Sequence, residues 1–552
     1  MLTEFLLVLL ILVIAVYIFM IIWSVRVDFH DNIVTYSELG QNGRFGNQLF
    51  QIASVIGHAE YGGYRYGFPK WDYSQYFKEE LPVENLRPNR RIGEKCLIKY
   101  EPIPNIGGID LTGFRQTEHY FSHIRHKIEK QFKFNDGLVD YIKEKLNPDG
   151  KRILGIHYRL GDYDNNPDFQ VCTPRYYLSA IEHFRMSREF DEIILFSDEP
   201  RIAVERLGIQ CRISPFKSEI EDFIGLMLCD YRILSNSTFS WWTSYLSPNK
   251  PKSIYEYNDI APTPWFGPNN CIQVEDPDIY RSCWKLLDGR SGEAVESKFE
   301  KRIEFIDKII EKSIPEIVKL DYSMNAPVFV ISMDDVKLEN ATRELTLAGF
   351  LNINHFKAVV GKEYDRDVLE DLGIISKKFS FREEHYVNMS SVIGCFMSHF
   401  VLSQWMIKND LDKVLIFEDD IVYNKYLDDP CARRLVKTLE QIEGDWLYLY
   451  LGGCLTECDK LRKVKHNLYN TSSSLCCHSY IMSRKGAELL SAYLPAHANI
   501  DTFIDDCFKI NEEENIDSWY IFYPSFFYQD VKQFQSTSRP KDYAYLSAQE
   551  CR

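Results

Sequence analysis

The sequence predicts an α/β protein with two large domains carried behind one membrane-spanning helix. Two observations inside the chain point there. Apolar strand-like runs such as Ile153–His157 and Glu192–Phe196 alternate with amphipathic helical stretches, the pattern of parallel sheets with crossover helices. That pattern breaks near Ser291 and restarts at Val328. The length of 552 residues agrees, because a single core rarely organises more than about 250 residues.

The elements follow in order. Phe5 to Trp23 is uncharged and apolar, and at 1.5 Å per residue it spans about 28 Å of hydrocarbon. No small-residue cleavage site follows, so residues 1–24 are read as a retained single-pass anchor and 25–35 as its stalk. Glu4 precedes the span and Arg26 follows it, so the flanking charges do not support a Golgi-type lumenal orientation. Residues 36–290 form the first α/β domain. In 291–326, Val295, Phe299, Ile303, Ile306 and Ile310 recur at helical spacing before Pro315, which reads as a helical linker or as a helix packed on the first domain. Residues 327–552 open as strand, helix, strand (Val328–Ile331, Asn340–Leu347, Phe356–Val360), the start of a nucleotide-binding α/β domain.

The formal net charge of −16 argues against nucleic acid as a partner, since duplex binding draws most of its affinity from a basic face. A nucleotide-sugar needs only a few placed cations, a helix N-terminus or a metal. The 14 cysteines show no zinc-ligand spacing. Four Asn-x-Ser/Thr sequons occur, at Asn236, Asn340, Asn388 and Asn470; Asn236 and Asn388 fall in or beside candidate sites, so either they are chance matches or the chain avoids the glycosylation machinery.

Three segments carry the chemistry of the first half. Gly43–Gln51 (GRFGNQLFQ) combines glycines that allow close backbone approach with a helical run whose first N–H groups can meet a phosphate; Gly46 and Asn47 sit at its centre. Ile156–Tyr163 (IHYRLGDY) follows an apolar strand, where α/β folds place ligands. There Arg159 can fork onto a pyrophosphate, His157 can serve a nucleotide or the core, and Asp162 is a candidate base or a partner that orients Arg159. Leu234–Trp242 (LSNSTFSWW) places Asn236, Ser237 and Thr238 at a helix N-terminus. In this order, with Leu111–Gln116 (LTGFRQ) and Pro264–Phe266, the segments resemble the α-1,2-fucosyltransferase family over Tyr36–Asp276. The resemblance implies a two-lobed GT-B-like fold, GDP-fucose as donor, transfer to the 2-hydroxyl of galactose with inversion, and no metal. The family pattern His-x-Arg-Arg-x-Asp is met by His157, Arg159 and Asp162, but Leu160 replaces the second arginine.

In the second half, Leu415–Phe417 runs into Glu418, Asp419 and Asp420. Three adjacent carboxylates repel one another unless a cation or solvent relieves them, and oxygen ligands at a strand end suit Mg²⁺ or Mn²⁺ bridging a diphosphate. Upstream stands Ile393–His399 (IGCFMSH); downstream stand Ser479–Ala487, Asp501, Pro524 and Gln529. This succession resembles the family of lipooligosaccharide and procollagen β-galactosyltransferases over Pro327–Ser536. It implies a GT-A-like fold, a UDP-sugar donor (UDP-galactose or another UDP-hexose), Mn²⁺ on Glu418, Asp419 and Asp420, and a base at Asp501 or Asp505. Ser332 to Asp335 depart from the family's Asn-Leu and basic residues, with Arg343 as the substitute donor contact.

The resulting expectation is a bifunctional glycosyltransferase acting on a glycan or glycoprotein. Its rivals are a chain with one active domain and one scaffold, and a sugar-binding protein built from two silent transferase folds.

Overall fold

The computed structural model describes residues 32–529 apart from 85–87, 89, 165, 170, 268–269, 271–273, 275, 381–387, 428–429, 441, 443–445, 456–460, 466, 472–473 and 511–517. The apolar run Phe5–Trp23 lies outside the described residues. The chain divides into two compact units.

The first unit is residues 1–248, 261–280 and 287–293. It holds two sheets. One has the order β2-β1-β4-β3, from β1 (Ile33–Thr35), β2 (Arg65–Gly67), β3 (Arg90–Ile92) and β4 (Ile109–Leu111), and all its pairs are parallel. Helix α1 (Phe45–Gly62) follows β1, and Gly63 ends it in the left-handed conformation that glycine adopts without penalty. The second sheet is centred on β5 (Ile153–Tyr158), fully buried, flanked by β6 (Glu192–Ser197) and β8 (Tyr231–Ile233) in parallel register. β7 (Arg212–Ile213) lies beyond β6 and β9 (Asp259–Thr263) beyond β8. β10 (Lys285–Asp288) and β11 (Ala294–Val295) come next along the chain. Helix α2 (Thr238–Tyr245) starts just past β8, capped by Ser237.

The second unit is residues 249–260, 281–286 and 294–552. The segments 249–260 and 281–286, which the sequence reading assigns to the first domain, therefore belong with the second core. So does α3 (Lys298–Ser313), read as a linker: its Ile306, Ile309 and Ile310 are buried with Phe329, Phe400 and Ile416. Its start is fixed by a capping box between Ser297 and Glu300. Periodicity gives a helix its apolar face; it does not say which core that face meets.

The sheet of this unit follows the order β12-β13-β15-β20-β17-β21-β19-β18, with β14 also paired to β13. These strands are β12 (Leu320–Asp321), β13 (Ala326–Ser332), β14 (Ile353–Lys357), β15 (Lys413–Glu418), β17 (Tyr448–Leu455), β18 (Arg462–Lys465), β19 (Leu468–Asn470), β20 (Ser474–Ser483) and β21 (Trp519–Phe522). β13, β14 and β15 are parallel, while β20 runs antiparallel to β15 and β17. A two-stranded ribbon pairs β16 (Ile421–Tyr423) with β22 (Phe527–Gln529). Helix α4 (Asp335–Leu347) follows β13, α5 (Met389–Lys408) precedes β15, and α6 (Ile500–Ile510) follows β20. Among the described residues, α5 alone is long and apolar enough to cross a membrane, yet Phe396, Met397, Phe400 and Val401 are buried in this core.

Candidate active sites

The motif segments of the first unit converge where β5 and β6 end. β5 pairs with β6 so that Tyr158 faces Ser197, which sets Arg159 opposite Asp198. Arg159 donates to Asp162 Oδ1 and lies 2.8 Å from Asp198 Oδ2, with its guanidinium 5.5 Å from the centre of the Tyr163 ring. Asp198 also accepts the Leu160 amide at 2.9 Å. Asp162 is reached from α1's approach by Arg44 at 3.3 Å, so both of its oxygens face guanidinium groups. Leu160 is buried at 1 % exposure, and no cation stands at that position.

His157 is buried beneath these groups. Its Nδ1 bonds Ser240 Oγ and, at 2.8 Å, Ser235 Oγ, and its ring stacks on Phe239. Burial, with the nearby Arg159 charge, pushes its pKa down to about 3, so it is neutral at physiological pH. Asn236 is buried too: its amide donates to Trp265 O at 2.7 Å, and its backbone carbonyl accepts from Tyr163 Oη at 3.1 Å. A sequon asparagine with its amide so engaged is closed to a glycan in the folded chain.

The N-termini of α1 and α2 meet at Asn47, whose Oδ1 accepts from Thr238 Oγ1 and from Gln116 Nε2, each at 3.0 Å. Ser237 accepts the Phe239 amide. Gly46 makes this approach possible: a Cβ there would lie 2.6 Å from the Thr238 carbonyl carbon and 2.7 Å from the Phe239 nitrogen. Backbone atoms cannot rotate away, so Gly46→Ala is expected to destabilise the first unit by about 1–3 kcal/mol. Calorimetry should show a lowered first-unit transition beside an unmoved second one; an unchanged scan would contradict the close joint.

In the second unit the three acids part rather than converge. Successive side chains at a strand end alternate in direction. Glu418 and Asp420 both face Gln529, whose Nε2 lies 3.3 Å from Glu418 Oε2 and 3.5 Å from Asp420 Oδ2. The β16–β22 register, with Ile421 opposite Gln529, delivers that amide. Asp419 instead accepts from Ser332 Oγ at 2.6 Å and lies 3.8 Å from Lys337 Nζ, in the first turn of α4. Arg343 is two-thirds exposed and its ion pair, at 3.9 Å, is with Glu344 rather than with any of the three acids. Burial raises the Asp419 carboxyl, while burial beside Glu418 and Asp419 pushes Asp420 up to about 7. Asp420 Oδ1 is buried and has no hydrogen-bond partner among the described residues. An unsatisfied, buried carboxylate oxygen among hard oxygen donors fits a Mg²⁺- or Mn²⁺-type cation.

Glu418 also faces α5, where His399 Nε2 lies 3.3 Å and Cys395 Sγ 3.8 Å from its Oε1. Gly394 lets α5 pack closely on the segment after β14, since a Cβ there would lie 2.5 Å from the Val359 carbonyl oxygen. Asp501, in the first turn of α6, accepts the Cys477 amide at 2.8 Å and acts electrostatically on Cys395. Asp505 is buried, and the neighbouring Asp506 pairs with His497 at 2.7 Å. Sequence reading did not find Asp198 or Lys337, and it singled out the segment Ile393–His399 without giving Cys395 and His399 a role of their own.

Comparison with known proteins follows the same division. Residues 14–284 match the family model "Glycosyl transferase family 11", and residues 325–507 match "Glycosyltransferase family 25 (LPS biosynthesis protein)". The chain is 26 % identical to galactoside alpha-(1,2)-fucosyltransferase 1 of Oryctolagus cuniculus, over 37 % of this chain and 62 % of that one. It is 28 % identical to the alpha-1,2-colitosyltransferase of Escherichia coli, over 29 % and 57 %. It is 29 % identical to a glycosyltransferase 25 family member of Drosophila pseudoobscura pseudoobscura, over 29 % of this chain and 25 % of that one. The chain thus spans less than two thirds of each of these relatives. Among solved structures, NodZ alpha-1,6-fucosyltransferase soaked with GDP-fucose aligns over 40 % of this chain and 93 % of its own, with 15 % identity and a TM-score of 0.28. Two stretches of the polypeptide thus resemble two different glycosyltransferase families, residues 14–284 family 11 and residues 325–507 family 25.

Proposed function

We propose that the chain is a bifunctional glycosyltransferase, anchored by Phe5–Trp23, that builds a glycan with two donors. The first unit, on a GT-B-like plan, transfers fucose from GDP-fucose to a galactose 2-hydroxyl. The second, on a GT-A-like plan, transfers a hexose from a UDP-sugar, with UDP-galactose the leading candidate. The observation that carries this reading is the pair of charge centres at strand ends: a guanidinium held by two carboxylates in one unit, and in the other three adjacent carboxylates with a buried Asp420 oxygen that has no hydrogen-bond partner among the described residues.

In the first unit, Arg159 turns from its carboxylates to the departing diphosphate and stabilises its charge. That move frees Asp162 to take the proton of the attacking hydroxyl. The Gly46–Asn47 and Ser237–Thr238 turns, at two helix N-termini, hold the donor, and neutral His157 fixes the floor beneath. In the second unit, a divalent cation, when bound, would neutralise charge on the diphosphate; Asp420, with its unpartnered oxygen, would hold it, with Glu418 and Asp419 on either side. Lys337 sits where a further donor contact is needed. Asp501 is the base, since Asp505 is buried. Leu160 favours one alternative, a first unit that binds donor weakly and leaves catalysis to the second.

A donor screen with a simple galactoside acceptor, read by mass spectrometry, tests the assignment. Fucose and hexose additions should both appear, and EDTA should stop the UDP-sugar reaction while sparing the GDP-fucose reaction. Equal loss of both on chelation would refute the division of labour; donor binding without any transfer would support the sugar-binding reading.

A further inference from the structure

We infer that Cys395, His399 and Glu418 form a three-ligand site for a thiophilic divalent cation of the Zn²⁺ class, separate in chemistry from the hard-cation position at Asp419 and Asp420.

The three ligand atoms, Cys395 Sγ, His399 Nε2 and a Glu418 oxygen, lie within 4.8 Å of one another. Zinc bonds of 2.0–2.3 Å at tetrahedral angles require separations of about 3.3 Å between nitrogen and oxygen and about 3.6 Å between sulfur and oxygen. The distances from Glu418 Oε1 are 3.3 Å to His399 and 3.8 Å to Cys395. Two of the three separations already match the edges of such a tetrahedron, and small side-chain rotations bring the third, between Cys395 Sγ and His399 Nε2, to length.

The supporting frame is rigid. Cys395 and His399 are four residues apart on α5, so both project from one face of one helix. Gly394 locks that helix against the backbone at Val359 and Gly361, and Glu418 is fixed at the end of β15. His399 also has the outer partner that metal-bound histidines use to set their tautomer: Nδ1 lies 2.8 Å from Tyr480 Oη, in a buried position. With Nδ1–H donated to Tyr480, Nε2 presents its lone pair to the cluster.

The donor set decides the class. A thiolate and an imidazole select Zn²⁺, Co²⁺ or Cd²⁺ over Mg²⁺, Ca²⁺ and Mn²⁺. Three protein ligands leave the fourth tetrahedral position to an exogenous donor, the arrangement of reactive rather than purely structural zinc sites. Binding releases the thiol proton. Because Glu418 belongs to both neighbourhoods, filling this site draws its carboxylate toward α5 and away from Asp420.

The test is a titration of the metal-free full-length protein with Co²⁺ alone, read by the thiolate-to-cobalt charge-transfer band in the near ultraviolet and the tetrahedral d–d bands. One equivalent should bind with both features, Zn²⁺ should displace it, and excess Mn²⁺ should not. Cys395→Ser should lose the charge-transfer band with unchanged far-ultraviolet circular dichroism. Tyr480→Phe should keep the band but weaken binding about 10–100-fold, the usual cost of losing a histidine's outer partner. Glu418→Gln, which keeps the shape and removes the charge, should also weaken it. No charge-transfer band in the unaltered chain, a band that survives Cys395→Ser, or displacement by Mn²⁺ would each overturn the assignment.

Discussion

Arg159→Ala is expected to lower fucose transfer about a hundredfold, corresponding to about 3 kcal/mol of lost transition-state stabilisation, and to leave UDP-sugar turnover unchanged. The size follows from the surroundings. Leu160 is buried and uncharged, so Arg159 has no cationic neighbour on its own loop to take over. Its removal also leaves Asp198 without the guanidinium that now neutralises it, and Asp162 with Arg44 alone. Arg159→Lys should recover only part of the rate, because an ammonium is a point charge and cannot fork between two oxygens. Initial rates with both donors on one preparation make the second activity an internal control. A variant that keeps its fucose rate within about threefold would remove Arg159 from the donor site.

Asp420→Asn should abolish UDP-sugar transfer while sparing fucose transfer, a loss on the order of a hundredfold or more, since charge stabilisation at such a site is worth several kcal/mol. The same change should stabilise the metal-free second unit at neutral pH. The folded-state pKa of Asp420 is raised, from an ordinary 3.8 to about 7, by burial and by Glu418 and Asp419. Between those values the native state holds a proton that the unfolded chain has released. The contribution of Asp420 to native stability therefore falls as pH climbs from about 4 to about 7 and is level above. Asparagine carries no such proton. Its advantage over the natural residue should be near zero at pH 4 and reach at least about 1 kcal/mol by pH 7.5, or roughly 2–4 °C in Tm. Scans at the two pH values in EDTA measure this, and a constant difference between them would show that Asp420 does not titrate as described.

The sequence carried much of both sites because their residues occupy positions that strand periodicity exposes. Arg159 and Glu418 directly follow or end apolar runs, and a strand end is where side chains leave the core. Asp198 escaped because its role depends on register. Only the pairing of Tyr158 with Ser197 sets it opposite Arg159, and a one-residue slip would have turned it away. The three acids looked like one cluster in a linear reading, whereas alternation sends Asp419 to Ser332 and Lys337 and the other two to Gln529. Lys337 was passed over for Arg343, yet only the first turn of α4 comes close to the acids. The Cys395–His399 pair was hidden because its third member, Glu418, is supplied by another element. The helix 298–313 was visible by period alone, and its allegiance to the second core was not.

The chain enters the second core at 249–260, leaves it, re-enters at 281–286 and stays from 294 onward. Ile254, buried there, donates its amide to Gln404 at 3.4 Å, 150 positions later. On a ribosome this stretch emerges roughly 8–30 s before its partner helix, at ordinary elongation rates of about 5–20 residues per second. The amino-terminal half thus cannot bury all of its apolar surface while it is being made, and a chaperone, or delay itself, must cover the interval. For the same reason, a single protease nick anywhere between 249 and 293 would not release two complete bodies.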